Sequence, residues 1–154
     1  MCSTATFPAS IDVLIVEDDP IIRLAVRQLL EDEGYTCAEM EDGREVLDMA
    51  LQCRPRLVLM DLMMPEVDGF TAAEQLRSHP DTRDILIHCL TALDFPAARR
   101  AAERSGCDVF LTKPFDVEAL LDVVRIALHG GPHKPQGGPG QTSPGCTAEM
   151  TLPR

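Results

Sequence analysis

The chain has 154 residues, a formal net charge of −11 and a sequence pI near 4.6, which suits one compact domain with a short extra segment. Charge this negative argues against a nucleic-acid binder, because a phosphate backbone would repel it, and 4% aromatic residues leave little material for stacking on bases. No apolar run approaches the roughly 20 residues of a membrane span, and the first residues lack the basic start and apolar stretch of a secretory signal.

Short apolar runs alternate with segments of helical periodicity from residue 11 onward. The apolar runs predict strands over 11–16, 56–60, 85–90 and 108–111, and 35–40 is a further strand candidate. Apolar residues at helical spacing predict helices over 20–33, 45–53, 70–78, 96–105 and 116–128. Pro20 marks the start of the first helix, Gly34 lies just past its end at the position of a left-handed cap, and Asp116 caps the last helix.

The alternation of strands and helices predicts an α/β fold. Five strand–helix units imply a doubly wound, five-stranded parallel sheet with helices on both faces. Right-handed crossovers leave few topologies open, and ligands of such sheets bind beyond the carboxyl ends of the strands. We therefore look for functional residues at those strand ends.

The composition changes at His129. The last 26 residues hold 6 of the 10 Gly and 5 of the 12 Pro, with almost no large apolar side chain to offset the entropy of ordering. We predict a short N-terminal extension over 1–9, one domain over 10–128 with a net charge of −12, and a flexible tail over 129–154 with a net charge of +1. Such a tail is too short for a helix-turn-helix or an enzyme domain, so we expect a single-domain protein that acts through protein–protein contact.

The cysteines are scattered along the chain, at Cys2, Cys37, Cys53, Cys89, Cys107 and Cys146. They form no C-x-x-C pair, and a disulfide framework or a zinc site would be expected to cluster them. The sequence thus predicts reduced thiols and, with no secretory signal, a cytoplasmic location.

Polar side chains directly follow four of the predicted strands: Glu17, Asp18 and Asp19 after the first, Asp61 after the third, Thr91 after the fourth, and Thr112 and Lys113 after the fifth. The carboxyl ends of parallel strands share one edge of a sheet, so these groups should meet in one pocket. Clustered carboxylates repel one another unless a cation neutralises them, and oxygen ligands suit Mg²⁺. A carboxylate is also a nucleophile that forms acyl phosphates, and an ammonium and a hydroxyl complement phosphoryl oxygens. The set predicts an aspartyl-phosphate site.

Each of these residues also has a structural interpretation. Asp18 or Asp19 could be a helix N-cap, Thr91 an ordinary cap and Lys113 a surface lysine. The composition favours function, because the predicted domain contains 11 Arg but Lys113 as its one Lys, a compact charge suited to phosphate. Of the remaining polar residues, His88 is predicted to be a core histidine, and the arginines of the fourth helix a solvated face rather than a docking patch.

Four stretches resemble the receiver domain of bacterial two-component response regulators, especially the stand-alone chemotaxis regulators. They are VLIVEDDP over 13–20, LVLMDLMMPEVDG over 57–69, CLTA over 89–92 and FLTKPF over 110–115, and the resemblance covers about residues 10–128. The separations of 30 residues from Asp61 to Thr91 and of 52 to Lys113 also match this family. The resemblance implies a flavodoxin-like strand order of 2-1-3-4-5.

The resemblance implies a role for each acidic residue. Asp61 would accept a phosphoryl group. Asp18 would bind Mg²⁺ directly, together with Asp61 and the backbone carbonyl of Met63, and Glu17 would complete the acidic pair through water. Asp19 lies one residue past the usual pair and is expected to play a minor electrostatic part.

The resemblance also assigns the switch residues. Thr91 would hydrogen-bond the bound phosphoryl group and Lys113 would pair with it, ahead of a cis peptide bond to Pro114. Phe110 occupies the switch aromatic position, where many members of the family have Tyr, so an output that needs a tyrosine hydroxyl is not available here. Met63 and Leu93 would flank the path of water to the phosphoryl group, and their apolar side chains predict a long-lived acyl phosphate.

By the same resemblance the partners are a sensor histidine kinase or a histidine phosphotransfer protein, and an unknown downstream protein. We expect a signalling domain with slow self-dephosphorylation rather than an enzyme, either monomeric or forming a weak phosphorylation-dependent dimer. A phosphorelay shuttle or phosphate sink, or a receiver excised from a hybrid histidine kinase, is the alternative. A small α/β hydrolase with Asp61 as nucleophile is less favoured, because it would want a second acid where Met63 stands.

Overall fold

A computed structural model describes residues 10–64 and 66–130, and strands alternate with helices along them as predicted. The strands are β1 Val13–Val16, β2 Cys37–Met40, β3 Leu57–Asp61, β4 Leu86–Thr91 and β5 Val109–Thr112. The helices are α1 Pro20–Asp32, α2 Val46–Cys53, α3 Gly69–Ser78, α4 Pro96–Ser105 and α5 Val117–His129. Of these helices, none is long and apolar enough to cross a membrane.

Two predicted segments lie largely outside the described residues. These are the extension over 1–9 and all of the tail beyond residue 130. The predicted tail began at His129, whereas the structure makes His129 the last residue of α5. Its ring lies against Tyr35, with the imidazole Nε2 3.2 Å from the phenol oxygen, and the helix is capped by Gly130, whose N–H donates to the carbonyl of Ile126.

The five strands form one parallel sheet in the order β2-β1-β3-β4-β5. This is the predicted flavodoxin-like order, in which the chain reverses its direction of travel across the sheet between β1 and β3. All of β1 and β3 is buried. Strands covered on both faces carry continuous apolar sequence, which is why these runs were recognisable.

The sheet separates two apolar cores. Val13 and Ile15 of β1 point to the face covered by α1 and α5, where Leu30 and Leu120 are fully buried. Leu14 and Val16 alternate to the other face, which packs against apolar residues of α2, α3 and α4. The period of two along the strand and the single apolar stripe of each helix thus place helices on both faces.

The capping of α1 follows the sequence signals. The Asp19 side chain accepts hydrogen bonds from the N–H groups of Ile21 and Ile22, and Pro20 is the first helical residue. Gly34 has a φ of 92°, as predicted for a left-handed residue after the helix. The N–H of Tyr35 donates to the carbonyl of Leu30, so this residue belongs to the helix cap and β2 begins later than predicted, at Cys37.

The other strand boundaries shift for similar reasons. The prediction started β1 at Ile11, but the strand begins at Val13, because Asp12 instead uses its carboxylate to accept a hydrogen bond from the N–H of Thr36, just before β2. At the opposite ends, β3 and β4 extend one residue further than predicted, so that Asp61 and Thr91 lie within their strands. These two polar residues are therefore held by ladder hydrogen bonds rather than by loops.

The prediction that all cysteines are reduced was wrong for one pair. A disulfide joins Cys89 of β4 to Cys107, which precedes β5, while Cys37 and Cys53 are free thiols. The paired residues are 18 positions apart, and parallel pairing of β4 with β5 brings their Cα atoms to 6.3 Å. Sequence spacing alone carries no information about this pairing.

Gly69, the first residue of α3, packs against the backbone at the end of β3. A Cβ atom at this position would lie 2.4 Å from the carbonyl oxygen of Asp61 and 2.8 Å from the Cα of Leu62. Both neighbours are backbone atoms that cannot rotate away. The absence of a side chain therefore lets α3 approach the strand that carries Asp61.

Gly69→Ala should destabilise the fold by about 2–3 kcal/mol, because the added methyl group pushes two backbone segments apart. Gly34→Ala is the matched control, since its Cβ would meet nothing within 4 Å and it bears only the left-handed strain, about 1–2 kcal/mol. Urea unfolding of both variants measures the difference. Equal losses would contradict the packing argument.

Candidate functional site

Two buried carboxylates and a half-buried ammonium meet where β1, β3 and β5 end. Glu17 follows β1, Asp61 is the last residue of β3, and Lys113 follows β5. The Lys113 Nζ lies 2.6 Å from Glu17 Oε2 and 2.9 Å from Asp61 Oδ2. The ammonium thus bridges two carboxylates that belong to different strands, at the edge of the sheet where the sequence predicted a pocket.

The charges in this pocket are unevenly matched. Burial raises the pKa of Glu17 to about 7, and the neighbouring Asp61 charge adds to the rise, while the hydrogen bond from Lys113 opposes it. Burial by itself would lower the pKa of Lys113, but its hydrogen bonds to Glu17 and Asp61 raise it above the ordinary value. One ammonium therefore stays charged and only partly compensates the carboxylates around it.

Residues close to Glu17 in sequence also hold it in place. Its Oε1 accepts a 3.2 Å hydrogen bond from the N–H of Asp19, and its backbone carbonyl accepts a 2.8 Å bond from Arg23. Asp19 therefore acts as the N-cap of α1 and also orients Glu17 through its backbone. The sequence offered Asp18 or Asp19 as a possible cap, and the structure shows that it is Asp19. The sequence held no signal for the contact from Arg23, which depends on how α1 packs.

A divalent cation fits the donor set. Oxygen atoms of Glu17, Asp18 and Asp61 all lie within 4.8 Å of one another, with Asp18 exposed and the other two buried. Three carboxylates face one ammonium, and hard oxygen ligands with one open side suit Mg²⁺, which keeps several waters. The prediction of an Mg²⁺ site at these residues is compatible with the observed cluster.

The second oxygen of Asp61 is held by the loop that follows β3. Its Oδ1 accepts a 2.9 Å hydrogen bond from the N–H of Met63, so both carboxylate oxygens have protein partners. The Met63 side chain is 57% exposed and lies outside the core. That its carbonyl binds a metal stays a prediction.

Thr91 ends the strand next to β3 and is completely buried. Its hydroxyl oxygen accepts a 3.2 Å hydrogen bond from the N–H of Leu93. The register of β3 with β4 pairs Asp61 with Leu90, so Thr91 lies one residue beyond the acidic residue at the same edge. The predicted cis peptide bond between Lys113 and Pro114 is also present, just after β5, the strand that neighbours β4.

Phe110 of β5 has a partner that the sequence analysis missed. The guanidinium carbon of Arg99 lies 4.8 Å from the centroid of its ring, and Arg99 also pairs with Asp94 at 3.0 Å. We predicted a solvated face for the arginines of α4, and Arg100 and Arg104 are exposed. Arg99 is also partly exposed, but it additionally covers the aromatic ring. No periodic signal could reveal this contact, because it joins a helix to a strand across the surface.

His88 agrees with its prediction as a core histidine. It lies in β4 and is 3% exposed, paired in register with Val109 of β5 and Leu59 of β3. His88 lies before the carboxyl end of β4, away from the edge of the sheet that holds the acidic residues.

Comparison with known proteins identifies the family. The family model described as "Response regulator receiver domain" matches residues 13–125. The chain belongs to this family of signalling domains, which confirms the resemblance drawn from the sequence motifs. Receiver domains take phosphoryl groups from histidine kinases or phosphotransfer proteins.

The curated relatives are about twice as long as the matched region. The chain is 42% identical over 124 residues to the DNA-binding dual master transcriptional regulator RpaA of Synechocystis, covering 80% of this chain and 52% of that protein. It is 37% identical over 140 residues to the response regulator MprA of Mycolicibacterium vanbaalenii, covering 91% and 59% respectively. The chain thus spans a little over half of these relatives.

Solved structures show the same fold in free-standing and kinase-linked receivers. The chemotaxis protein CheY4 of Vibrio cholerae matches with a TM-score of 0.73 and 32% identity, over 78% of this chain and all of that one. The receiver domain of sensor histidine kinase PA1611 from Pseudomonas aeruginosa, with a magnesium ion in its active-site cleft, matches at 0.71 and 28%, over 78% and 98%. The Saccharomyces cerevisiae Ssk1 receiver in complex with the phosphotransfer protein Ypd1 matches at 0.71 and 29%, over 79% and 90%.

Lys113→Met should destabilise the metal-free protein by about 3 kcal/mol, because it leaves two buried carboxylates without their shared cation. Arg125→Ala is the control: it also removes a cation from two acidic partners, Glu33 and Asp122, but these pairs are solvent-exposed, so the loss should be much smaller. Urea unfolding in the presence of a chelator measures both. A loss at Lys113 no larger than that at Arg125 would contradict the bridging role.

Proposed function

We propose that Asp61 accepts a phosphoryl group from the phosphohistidine of a sensor histidine kinase or a histidine phosphotransfer protein. The observation that carries the proposal is the Lys113 ammonium held between Glu17 and Asp61 at the carboxyl edge of the sheet. This arrangement places a carboxylate nucleophile beside a fixed cation and an acidic cluster. A structural ion pair needs only one carboxylate, whereas phosphoryl transfer uses all of these parts.

In the transfer, a carboxylate oxygen of Asp61 attacks the phosphorus atom, and the bond from phosphorus to the histidine nitrogen breaks. The electron pair of that bond stays on the nitrogen, and because the other ring nitrogen carries a proton, the donor is left as a neutral imidazole while Asp61 becomes an acyl phosphate. Lys113 offers its charge to a phosphoryl oxygen and gives up its place on the Asp61 carboxylate. Glu17, Asp18, Asp61 and the carbonyl of Met63 would hold Mg²⁺, which supplies positive charge to the phosphoryl oxygens when bound.

Thr91 and Phe110 then carry the signal. The Thr91 hydroxyl leaves the N–H of Leu93 and turns to hydrogen-bond the phosphoryl group, which opens space at the end of β4. Phe110 packs into that space and, since it has no hydroxyl, acts by volume alone. The movement changes the position of the ring beneath Arg99, and so alters the surface formed by α4, β5 and α5.

The wider setting is part of the same proposal. We propose a single-domain response regulator located in the cytoplasm, monomeric or weakly dimeric when phosphorylated, which acts on a protein partner and has only slow self-dephosphorylation. The exclusion of nucleic acid rests on the charge of this chain, and one of its relatives is described as DNA-binding. Similarity to the receiver of a sensor histidine kinase favours a phosphorelay or hybrid-kinase receiver as the second candidate.

Asp61→Asn should abolish modification by acetyl phosphate in the presence of Mg²⁺, because an amide oxygen is a poor nucleophile. Asp68→Asn is a matched control, since Asp68 lies in the same loop and caps α3, and Asn caps equally well. Intact-mass measurement before and after incubation reads the outcome. Modification that persists in Asp61→Asn would refute the phosphoacceptor assignment.

The two exposed acids beside Glu17 should differ in their effect on Mg²⁺. Asp18→Asn is expected to weaken Mg²⁺ binding roughly tenfold or more, because it removes a charged ligand. Asp19→Asn should change it far less, since Asn preserves the cap of α1 and the backbone contact to Glu17. Calorimetric titration with Mg²⁺ tests both, and equal weakening would overturn the ligand assignment of Asp18.

The lifetime of the acyl phosphate should depend on Met63 and Leu93. Both side chains are apolar and offer no hydrogen bond to an attacking water, so the wild-type phosphoryl group should persist. The double variant Met63→Gln and Leu93→Gln should lose phosphate several-fold faster. Timing phosphate release after removal of the donor measures this, and an unchanged rate would contradict it.

A further inference from the structure

Two cysteines lie beside the switch residues on one face of the sheet. Cys89 is in β4, two residues before Thr91, and Cys107 follows Gly106 in the turn between α4 and β5. Both belong to the core on the side of α4, and Cys89 is paired in register with Phe110. A disulfide joins them.

The backbone holds the two cysteines together independently of the bond between them. The N–H of Asp108 donates to the carbonyl of Ile87 at 2.7 Å, which fixes the start of β5 beside β4. Arg77 of α3 donates to the carbonyl of Gly106 at 2.8 Å and so holds the turn against α3. The resulting Cα separation of 6.3 Å lies within the range that a disulfide spans. The reduced thiols would therefore remain neighbours.

We propose that Cys89 and Cys107 form a reversible dithiol–disulfide site whose oxidant is a low-molecular-weight disulfide such as glutathione disulfide. Cys107 is 9% exposed and Cys89 is fully buried, so the Cys107 thiolate attacks first. Its attack forms a mixed disulfide and releases one small thiol. The Cys89 thiolate then attacks the Cys107 sulfur and releases the second. One S–S bond forms for the one broken, and the two cysteine protons end on the two released thiols.

The other thiols within the described residues lack this arrangement. Cys53 is fully buried in α2 and has the thioether of Met49, not a second thiol, as its sulfur neighbour at 3.3 Å. Cys37 is more exposed, but burial raises its pKa to about 12, which disfavours the reactive thiolate. Oxidation should therefore select the pair Cys89 and Cys107.

The bond would restrain the face that signals. It ties the strand that carries Thr91 to the turn at the end of α4, beside the ring of Phe110. In the oxidised protein the last turn of α4 should open less often, and reduction should release it. In a reducing compartment, disulfides of this kind serve regulation rather than permanent stability. This inference goes beyond phosphoryl transfer and does not depend on Asp61.

The first test maps the bond in the full chain. Wild type is equilibrated in glutathione buffers from fully reduced to fully oxidised, alkylated, and digested with trypsin without reduction. We expect peptides 84–99 and 105–125 to be cross-linked at the oxidising end and separate at the reducing end. Cys37→Ser should keep the cross-link and Cys107→Ser should lose it. Free, alkylated Cys89 and Cys107 at every ratio, or pairing with other cysteines, would overturn the proposal.

The second test measures the restraint by comparing oxidised with reduced wild type. Hydrogen exchange of amides over 100–108 should be roughly tenfold slower in oxidised than in reduced wild type. Exchange in Cys107→Ser should be the same at both ends of the glutathione series. A wild-type exchange rate that ignores the redox state would refute the proposed control of α4, and it would leave the assignment of Asp61 untouched.

Discussion

The ammonium of Lys113 lies between two buried carboxylates that would otherwise repel each other across the end of the sheet. Everything else at this edge depends on that bridge, because it allows Glu17 and Asp61 to be buried side by side. It also leaves the pocket short of positive charge, since Asp18 adds a third carboxylate. The same bridge therefore keeps the fold intact and prepares the site for a cation and for phosphoryl oxygens.

The parallel sheet brings the groups of this site together. Glu17, Asp61, Thr91 and Lys113 come from four different strands, yet each stands at the carboxyl end of its own strand, and the ends are adjacent. Local backbone contacts then orient the carboxylates. Capping of α1 by Asp19 orients Glu17, the turn after β3 holds Asp61, and the missing side chain of Gly69 lets α3 approach. Backbone contacts thus add to the Lys113 bridge in positioning the carboxylates.

The fold and the set of pocket residues were predictable because they depend on periodicity and order along the chain. Apolar runs marked the buried strands, and the polar residue at each strand end could be read directly. Element boundaries were less certain, since hydrogen bonds such as that from Tyr35 to Leu30 reassign a residue from strand to cap. The assignment of roles to Asp61, Asp18 and Met63 came from family resemblance, and it remains a proposal.

Several contacts that helices and turns make with the rest of the fold were not predictable. Arg99 over Phe110, Arg23 on the carbonyl of Glu17, and the bond from Cys89 to Cys107 all join residues that only the packed fold brings together. Each depends on the rotation of a helix about its axis or on strand register. One sequence contains no measure of either quantity, so composition could suggest only solvated arginines and idle thiols.

The register of β4 with β5 has a consequence for how the domain could integrate information. Cys89 and Phe110 stand opposite each other in one row of the sheet. On the two proposals above, a redox input would reach that row from the turn after α4, and a phosphoryl input would reach it from the end of β4. Both inputs would then act on the same pair of residues. The redox state of the cell would set how far the phosphoryl signal can move Phe110.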